Sequence, residues 1–135
     1  MIPNGIARYE NVKVTTASPG DVLIALLDGL FKFLNIARYS MRNGDRARAG
    51  VSISKSHAII SELMVSLEDH HAPELCETLR GVYDYCLFRI TEANRHNDVK
   101  GIEDVMRVMT PIREAFTIAV RNVAAQALPA TGSDR

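Results

Sequence analysis

Apolar residues recur at three- and four-residue intervals through almost the whole of this chain, and only three short joints interrupt them. That rhythm gathers side chains on one side of an α-helix, and no segment alternates with the two-residue period of a strand. Ser18 suits an N-cap, Pro19 the first helical position, and Asp21 stands three after the cap as in a capping box. From there a first helix is expected to about Asn43. Gly44 and Asp45 break it, and a second runs from about Arg46 to Asp69. His70 to Pro73 make the next joint, with Pro73 opening a third helix to about His96. Asn97 and Asp98 make the last, Asp98 capping a fourth helix over Val99 to Leu128. Short joints between long helices force neighbours to run antiparallel, so the expected fold is all-α, an antiparallel up-and-down four-helix bundle.

Each helix offers a seam for the core. The first contributes Leu23, Leu27, Leu30, Leu34, Ala37 and Met41; the second Ile53, Ile60, Leu63 and Leu67, weakened by Ser56. The third offers Leu75, Leu79, Val82, Cys86 and Ala93, and the fourth Ile102, Val105, Met109, Ile112, Phe116, Ala119 and Val123. At 135 residues, 47% of them apolar, one domain over 18–128 can bury a single core without a disulfide or metal staple. An N-terminal segment, 1–17, and a flexible tail, 129–135, fall outside it. Cys76 and Cys86, on one expected helix, stand roughly 15 Å apart, too far for a disulfide, and read as small buried thiols of a reducing compartment.

Charge excludes some function classes. Sixteen basic and sixteen acidic residues cancel, so nothing draws the chain generally to nucleic acid or to an anionic membrane. The basic group Arg38, Arg42, Arg46 and Arg48 lacks interleaved aromatics and reads as a solvated turn. The longest apolar run, Val22 to Leu27, is too short for membrane insertion, and no signal pattern opens the chain, so a cytoplasmic location is expected. The sequence shows no phosphate loop, nucleophile elbow or zinc-type cluster. Its one Glu-x-x-His spacing, Glu68 to His71, sits at an expected helix end without the second copy that a bundle metal site needs. No metal, no cofactor and no catalytic residue are expected, and an enzyme has nothing to rest on.

The first helix exceeds what a bundle requires. Twelve of the sixteen residues from Val22 to Ala37 are apolar. Val22, Leu26, Phe33 and Ile36 form a second apolar stripe, and Ile24 and Phe31 widen the first on its other side. The apolar arc covers roughly 250°, against a usual stripe of 100° or a little more. Either the neighbouring helices and the N-terminal segment cover this surplus, making the first helix the most enclosed, or part of it is a groove for an apolar partner helix. Gly29 lies within it, where a missing side chain lets another backbone approach.

Several stretches left over by bundle design occur together in a known family. Tyr9, Val14-Thr15-Thr16-Ala17-Ser18-Pro19, Leu23-Ile24, Leu27-Asp28-Gly29, Phe33-Leu34 and Ala37 closely resemble the N-terminal signature of the FliS family of flagellin export chaperones. Ile59-Ile60-Ser61-Glu62-Leu63 is similar to its second-helix pattern. Leu79, Val82-Tyr83-Asp84-Tyr85, Arg89, Ala93-Asn94 and Asn97-Asp98 are similar to its third. Ile102-Glu103-Asp104-Val105 and Ile112-Arg113-Glu114-Ala115-Phe116 are similar to its fourth. Leu27 departs from the family's usual Tyr, Phe116 from its Trp, and Pro111 should bend the last helix.

The resemblance implies a chaperone that holds the C-terminal segment of flagellin in hydrophobic grooves, prevents premature polymerisation in the bacterial cytosol and delivers it to the flagellar export gate. It points to Leu23, Ile24, Leu27, Gly29, Phe31, Tyr83 and Tyr85 as the client groove. In the family the N-terminal segment lies over the bundle, which here makes Ile6, Tyr9 and Val14 a replaceable cover. A homodimer without client also fits, as does an adaptor for another export substrate or a flagellar regulator.

Overall fold

The computed structural model describes residues 18–132, and side chains from Ser18 to Gln126. The cover expected of Ile6, Tyr9 and Val14 lies outside the described residues. Four helices follow in order: α1 (Pro19–Arg42), α2 (Arg46–Val65), α3 (Pro73–His96) and α4 (Val99–Gly132). Each packs against two neighbours in the ring α1–α2–α3–α4–α1, with α1 against α2 the most extensive contact. The antiparallel sense of α1 and α4 is fixed by Arg42 pairing with Glu103 at one end and Asp28 with Arg113 fourteen residues earlier on α1. No helix in the described residues is long and apolar enough to cross a membrane.

The joints follow local chemistry. Asp21 N–H donates to Ser18 Oγ at 3.0 Å and Ser18 N–H to Asp21 Oδ2 at 3.4 Å, the reciprocal pair of a capping box. Gly44 closes the first joint with φ of 75°, a left-handed conformation that costs glycine nothing. Asn97 takes the same region, φ 52°, at the end of α3, and Asp98 Oδ1 then accepts from Lys100 N–H at 3.0 Å to start α4. The second joint is longer than the sequence suggests. α2 ends at Val65 instead of continuing to Asp69, with Ser66 Oγ turned back onto the Leu63 carbonyl at 2.8 Å.

The core is built from Leu27, Leu30 and Leu34 of α1, Ile53, Ile60 and Leu63 of α2, Tyr83, Cys86 and Ile90 of α3, and Ile102, Val105 and Met109 of α4. Two expected seams need correction. On α3 the buried line is Cys76, Leu79, Tyr83, Cys86, Ile90 and Ala93, which turns Leu75 outward to 54% exposure. On α4 burial stops at Met109: Ile112 and Phe116 are half-buried, Ala119 is exposed and Val123 is 67% exposed. Length explains the exposure of Val123. Gly20, at the start of α1, lies against Val120, so residues 121–132 of α4 run on for about 18 Å with α1 already ended. Residues 129–132 continue that helix where the sequence suggests a tail. Cys76 and Cys86 are buried free thiols, as expected.

Candidate functional site

The surplus on α1 stays at the surface. Of Val22, Ile24, Leu26, Phe31, Phe33 and Ile36, only Phe31 is buried, at 7% exposure; Val22 is 48% exposed and the other four are half-buried. Val22, Leu26, Gly29, Phe33 and Ile36 share the shoulder of α1 that leans on α2. A Cβ built on Gly29 would stand 3.5 Å from Ile59 Cδ1, and the Lys55 ammonium of α2 sits 5.2 Å from the centre of the Phe33 ring. Ile59 thus forms the opposite wall, and Val51 and Val65 of α2 are exposed apolar residues farther out. The α1 shoulder and Ile59 line a part-exposed apolar strip along the seam of α1 and α2, a trough to which Gly29 contributes no side chain.

A second concavity opens at the end of the bundle where α1 starts, α2 ends and α3 starts. It measures about 450 Å³ and is lined chiefly by Leu23, Leu63, Leu67, Leu75, Tyr83 and Phe116. Burial pushes the Tyr83 hydroxyl up to about 12, with smaller contributions from neighbouring Cys86 and Cys76, and pushes the Cys86 thiol likewise up to about 12. Both are neutral at physiological pH and offer no nucleophile. The incomplete α4 seam is what leaves this end open.

The groove between α1 and α4 has a different character. It holds about 570 Å³, lined by Ile24 and Ile118 but also by Asp28, Arg113, Glu114 and Arg121. Arg113 donates to Asp28 Oδ1 through Nε at 3.1 Å and Nη2 at 2.7 Å, and its guanidinium lies 4.7 Å from the Phe31 ring centre. These polar links tie the two helices across the groove.

The residues expected to form one groove divide into two sets. Leu27, Phe31 and Tyr83 are buried, Leu27 and Tyr83 almost completely, so they shape the surface from beneath. Leu23, Ile24 and Gly29 are half-buried and Tyr85 is 43% exposed. Tyr85 belongs to α3, across the ring from α1, and is not brought together with the trough. Sequence reasoning missed Ile59, Leu67 and Phe116 as surface-forming residues. Ile59 could have been found, because it lies off the Ile53–Ile60–Leu63 seam on the side turned to α1. Among the described residues one group of three potential metal ligands occurs, Glu68, His70 and His71, at the rim of the end cleft.

Comparison with known proteins gives a consistent picture. The sequence pattern of the family described as flagellar protein FliS matches residues 2–123. The flagellar secretion chaperone FliS of Bacillus subtilis is 31% identical over 121 residues, covering 90% of each chain. The protein of the same name from Salmonella typhimurium is 33% identical over 118 residues, covering 84% of this chain and 87% of its own. That of Escherichia coli is 35% identical over 104 residues, covering 76% of each.

Proposed function

Since the chain belongs to the FliS family, whose curated members are flagellar secretion chaperones and not enzymes, we propose that it is a cytoplasmic export chaperone whose client is the C-terminal segment of flagellin. The observation that carries this reading is the apolar trough along Val22, Leu26, Gly29, Phe33 and Ile36, faced by Ile59 and left half-open by the bundle. A client segment that is disordered alone lays the apolar face of a helix there and folds as it binds. Its ordering entropy offsets part of the gain, which keeps the complex releasable. Covering those client side chains is what prevents premature polymerisation, and the complex then docks at the flagellar export gate.

The end cleft offers the client, or the chaperone's own N-terminal segment, a second anchorage. Leu23 lines it and lies five residues after Ser18, so chain arriving from residues 1–17 reaches this end of the bundle first. Ile6, Tyr9 and Val14 act as a replaceable cover that the client displaces. Leu27, Phe31 and Tyr83 support the surface, Gly29 touches the client in the trough and Leu23 meets it at the end cleft, while Ile24, in the groove between α1 and α4, meets it only where the client wraps around α1. Tyr85 meets it only where the client wraps around the bundle. Without client, two copies pair through their troughs.

Titration calorimetry with a flagellin C-terminal peptide tests the reading. The expected result is binding at micromolar concentrations, weakened by Val22→Asp in a fold of unchanged stability, with a client-free dimer dissociating on size exclusion as peptide is added. No binding at these concentrations would instead favour an adaptor for another export substrate or a regulator.

A further inference from the structure

The joint between α2 and α3 gathers three side chains that neither the core nor the trough employs. Glu68 Oε2 lies 3.3 Å from His71 Nε2 and 3.6 Å from His70 Nε2. The two imidazole rings face each other obliquely with centroids 4.0 Å apart, and one donor atom from each of the three residues lies within 4.8 Å of the other two. Two ligands on one tetrahedral zinc ion, each bonded at about 2.0–2.1 Å, stand about 3.4 Å from one another. Both Glu–His separations are therefore already close to the edge length of such a site. Only the His–His edge has to close, and both rings are exposed and free to turn.

We propose that Glu68, His70 and His71 form a surface site for one first-row divalent cation, with zinc as the best match. Two imidazole nitrogens and a carboxylate oxygen suit zinc, nickel or copper, whereas magnesium and calcium take six or more oxygens. Water completes the coordination. The paired Glu-x-x-His motifs of a buried bundle site are not needed, because His70 supplies the ligand that a second copy would bring. A lone ion pair elsewhere on the molecule shows the contrast: His96 Nε2 lies 3.3 Å from Glu92 Oε1 with Arg95, not an imidazole, as the further neighbour.

The backbone beneath the cluster is partly organised for the task. The Glu68 carbonyl accepts from His71 N–H at 3.3 Å and from Cys76 Sγ at 3.4 Å, which ties the joint to α3. Ala72, at the start of α3, offers no side-chain cap, but Asp69 pairs with Arg80 of α3 at 2.7 Å, a second tie between the joint and that helix. Glu68 and His71 also line the end cleft, and a bound ion would fix one wall of it. Metal binding itself does not depend on the identity of the client.

The test is a zinc titration of the full chain, freed of metal with a chelator, at neutral pH by calorimetry. The expected result is one zinc per chain, weakened at least about tenfold by each of His70→Ala, His71→Ala and Glu68→Gln and unchanged by His96→Ala. All four side chains are exposed, so the variants keep their thermal stability without metal. Cobalt in place of zinc should give a visible spectrum without a thiolate charge-transfer band. Absence of zinc uptake, uptake indifferent to the three substitutions, or a thiolate band implicating Cys76 or Cys86 would each overturn the proposal.

Discussion

Gly29→Ala separates a glycine needed by the fold from one needed by a partner. Glycine in the middle of a helix costs about 0.5–1 kcal/mol relative to alanine, through the backbone freedom it surrenders. Its retention in α1 therefore needs a steric reason within the chain or outside it. Within the chain there is none: the added Cβ would meet only Ile59 Cδ1, at 3.5 Å, an ordinary van der Waals contact, and the backbone there is not left-handed. The substitution should therefore stabilise the isolated protein by about 0.5–1 kcal/mol. For 135 residues that raises the melting temperature by about 2–4 °C. The same methyl group narrows the floor of the trough, so the flagellin peptide should bind more weakly. Differential scanning calorimetry and peptide titration on the same preparation read both effects. A lower melting temperature would refute the steric reasoning, and higher stability with undiminished peptide affinity would refute the place given to Gly29 in the trough.

Gly101→Ala should act in the opposite sense, because a Cβ there would fall 2.5 Å from Ala93 Cβ and 2.9 Å from Arg89 Nη1; overpacking of about 1–3 kcal/mol should lower the melting temperature, and an unchanged one would contradict the tight α3–α4 contact. Leu27→Ala removes a fully buried side chain and should cost about 2–5 kcal/mol in chemical denaturation, whereas Val22→Asp should leave the midpoint nearly unchanged. Alkaline pH should favour unfolding: Tyr83 and Cys86 hold their protons up to about 12 when folded, while their ordinary values are 10.0 and 9.0. Their contribution is complete below pH 9 and is lost as pH rises toward about 12, so denaturation midpoints should fall across that window and a flat profile would contradict the burial of these groups. For the N-terminal segment, the Ile6→Ala/Tyr9→Ala double variant should bind peptide at least as tightly with stability retained; collapse of stability before any change in binding would make these residues permanent staples.

Much of the architecture was legible because each joint carries its own chemistry. Ser18-Pro19, Gly44, Pro73 and Asn97-Asp98 stop or start helices through caps and left-handed residues, which act locally and leave clear marks. Seams were less secure, because periodicity reports which face is apolar and not whether a neighbour reaches it. Val123 continues the α4 pattern faithfully yet is exposed, since α1 begins opposite Val120 and nothing in the pattern of α4 encodes that length. On α3, Leu75 and Cys76 both fit a seam with Leu79, and only packing against α2 and α4 turned Cys76 inward. The surplus on α1 was readable as an arc wider than a bundle consumes. Which of its members stay accessible was not: Leu27 and Phe31 belong to the family's signature region yet lie in the core, while Ile59, one position off its own seam, forms the facing wall. The His70–His71–Glu68 cluster escaped a search for paired helical motifs because its donors sit on a joint, where spacing along the chain says little about distance.

Where the client lies is the claim on which the rest depends. Methyl and amide chemical-shift mapping of the full chain, titrated with a flagellin C-terminal peptide, addresses it directly. The expected result is perturbation running continuously through Val22, Leu26, Gly29, Phe33, Ile36 and Ile59. Saturable binding that leaves this line untouched and moves only residues elsewhere, such as the exposed Phe88 on the outer side of α3, would contradict the helix-in-trough mechanism.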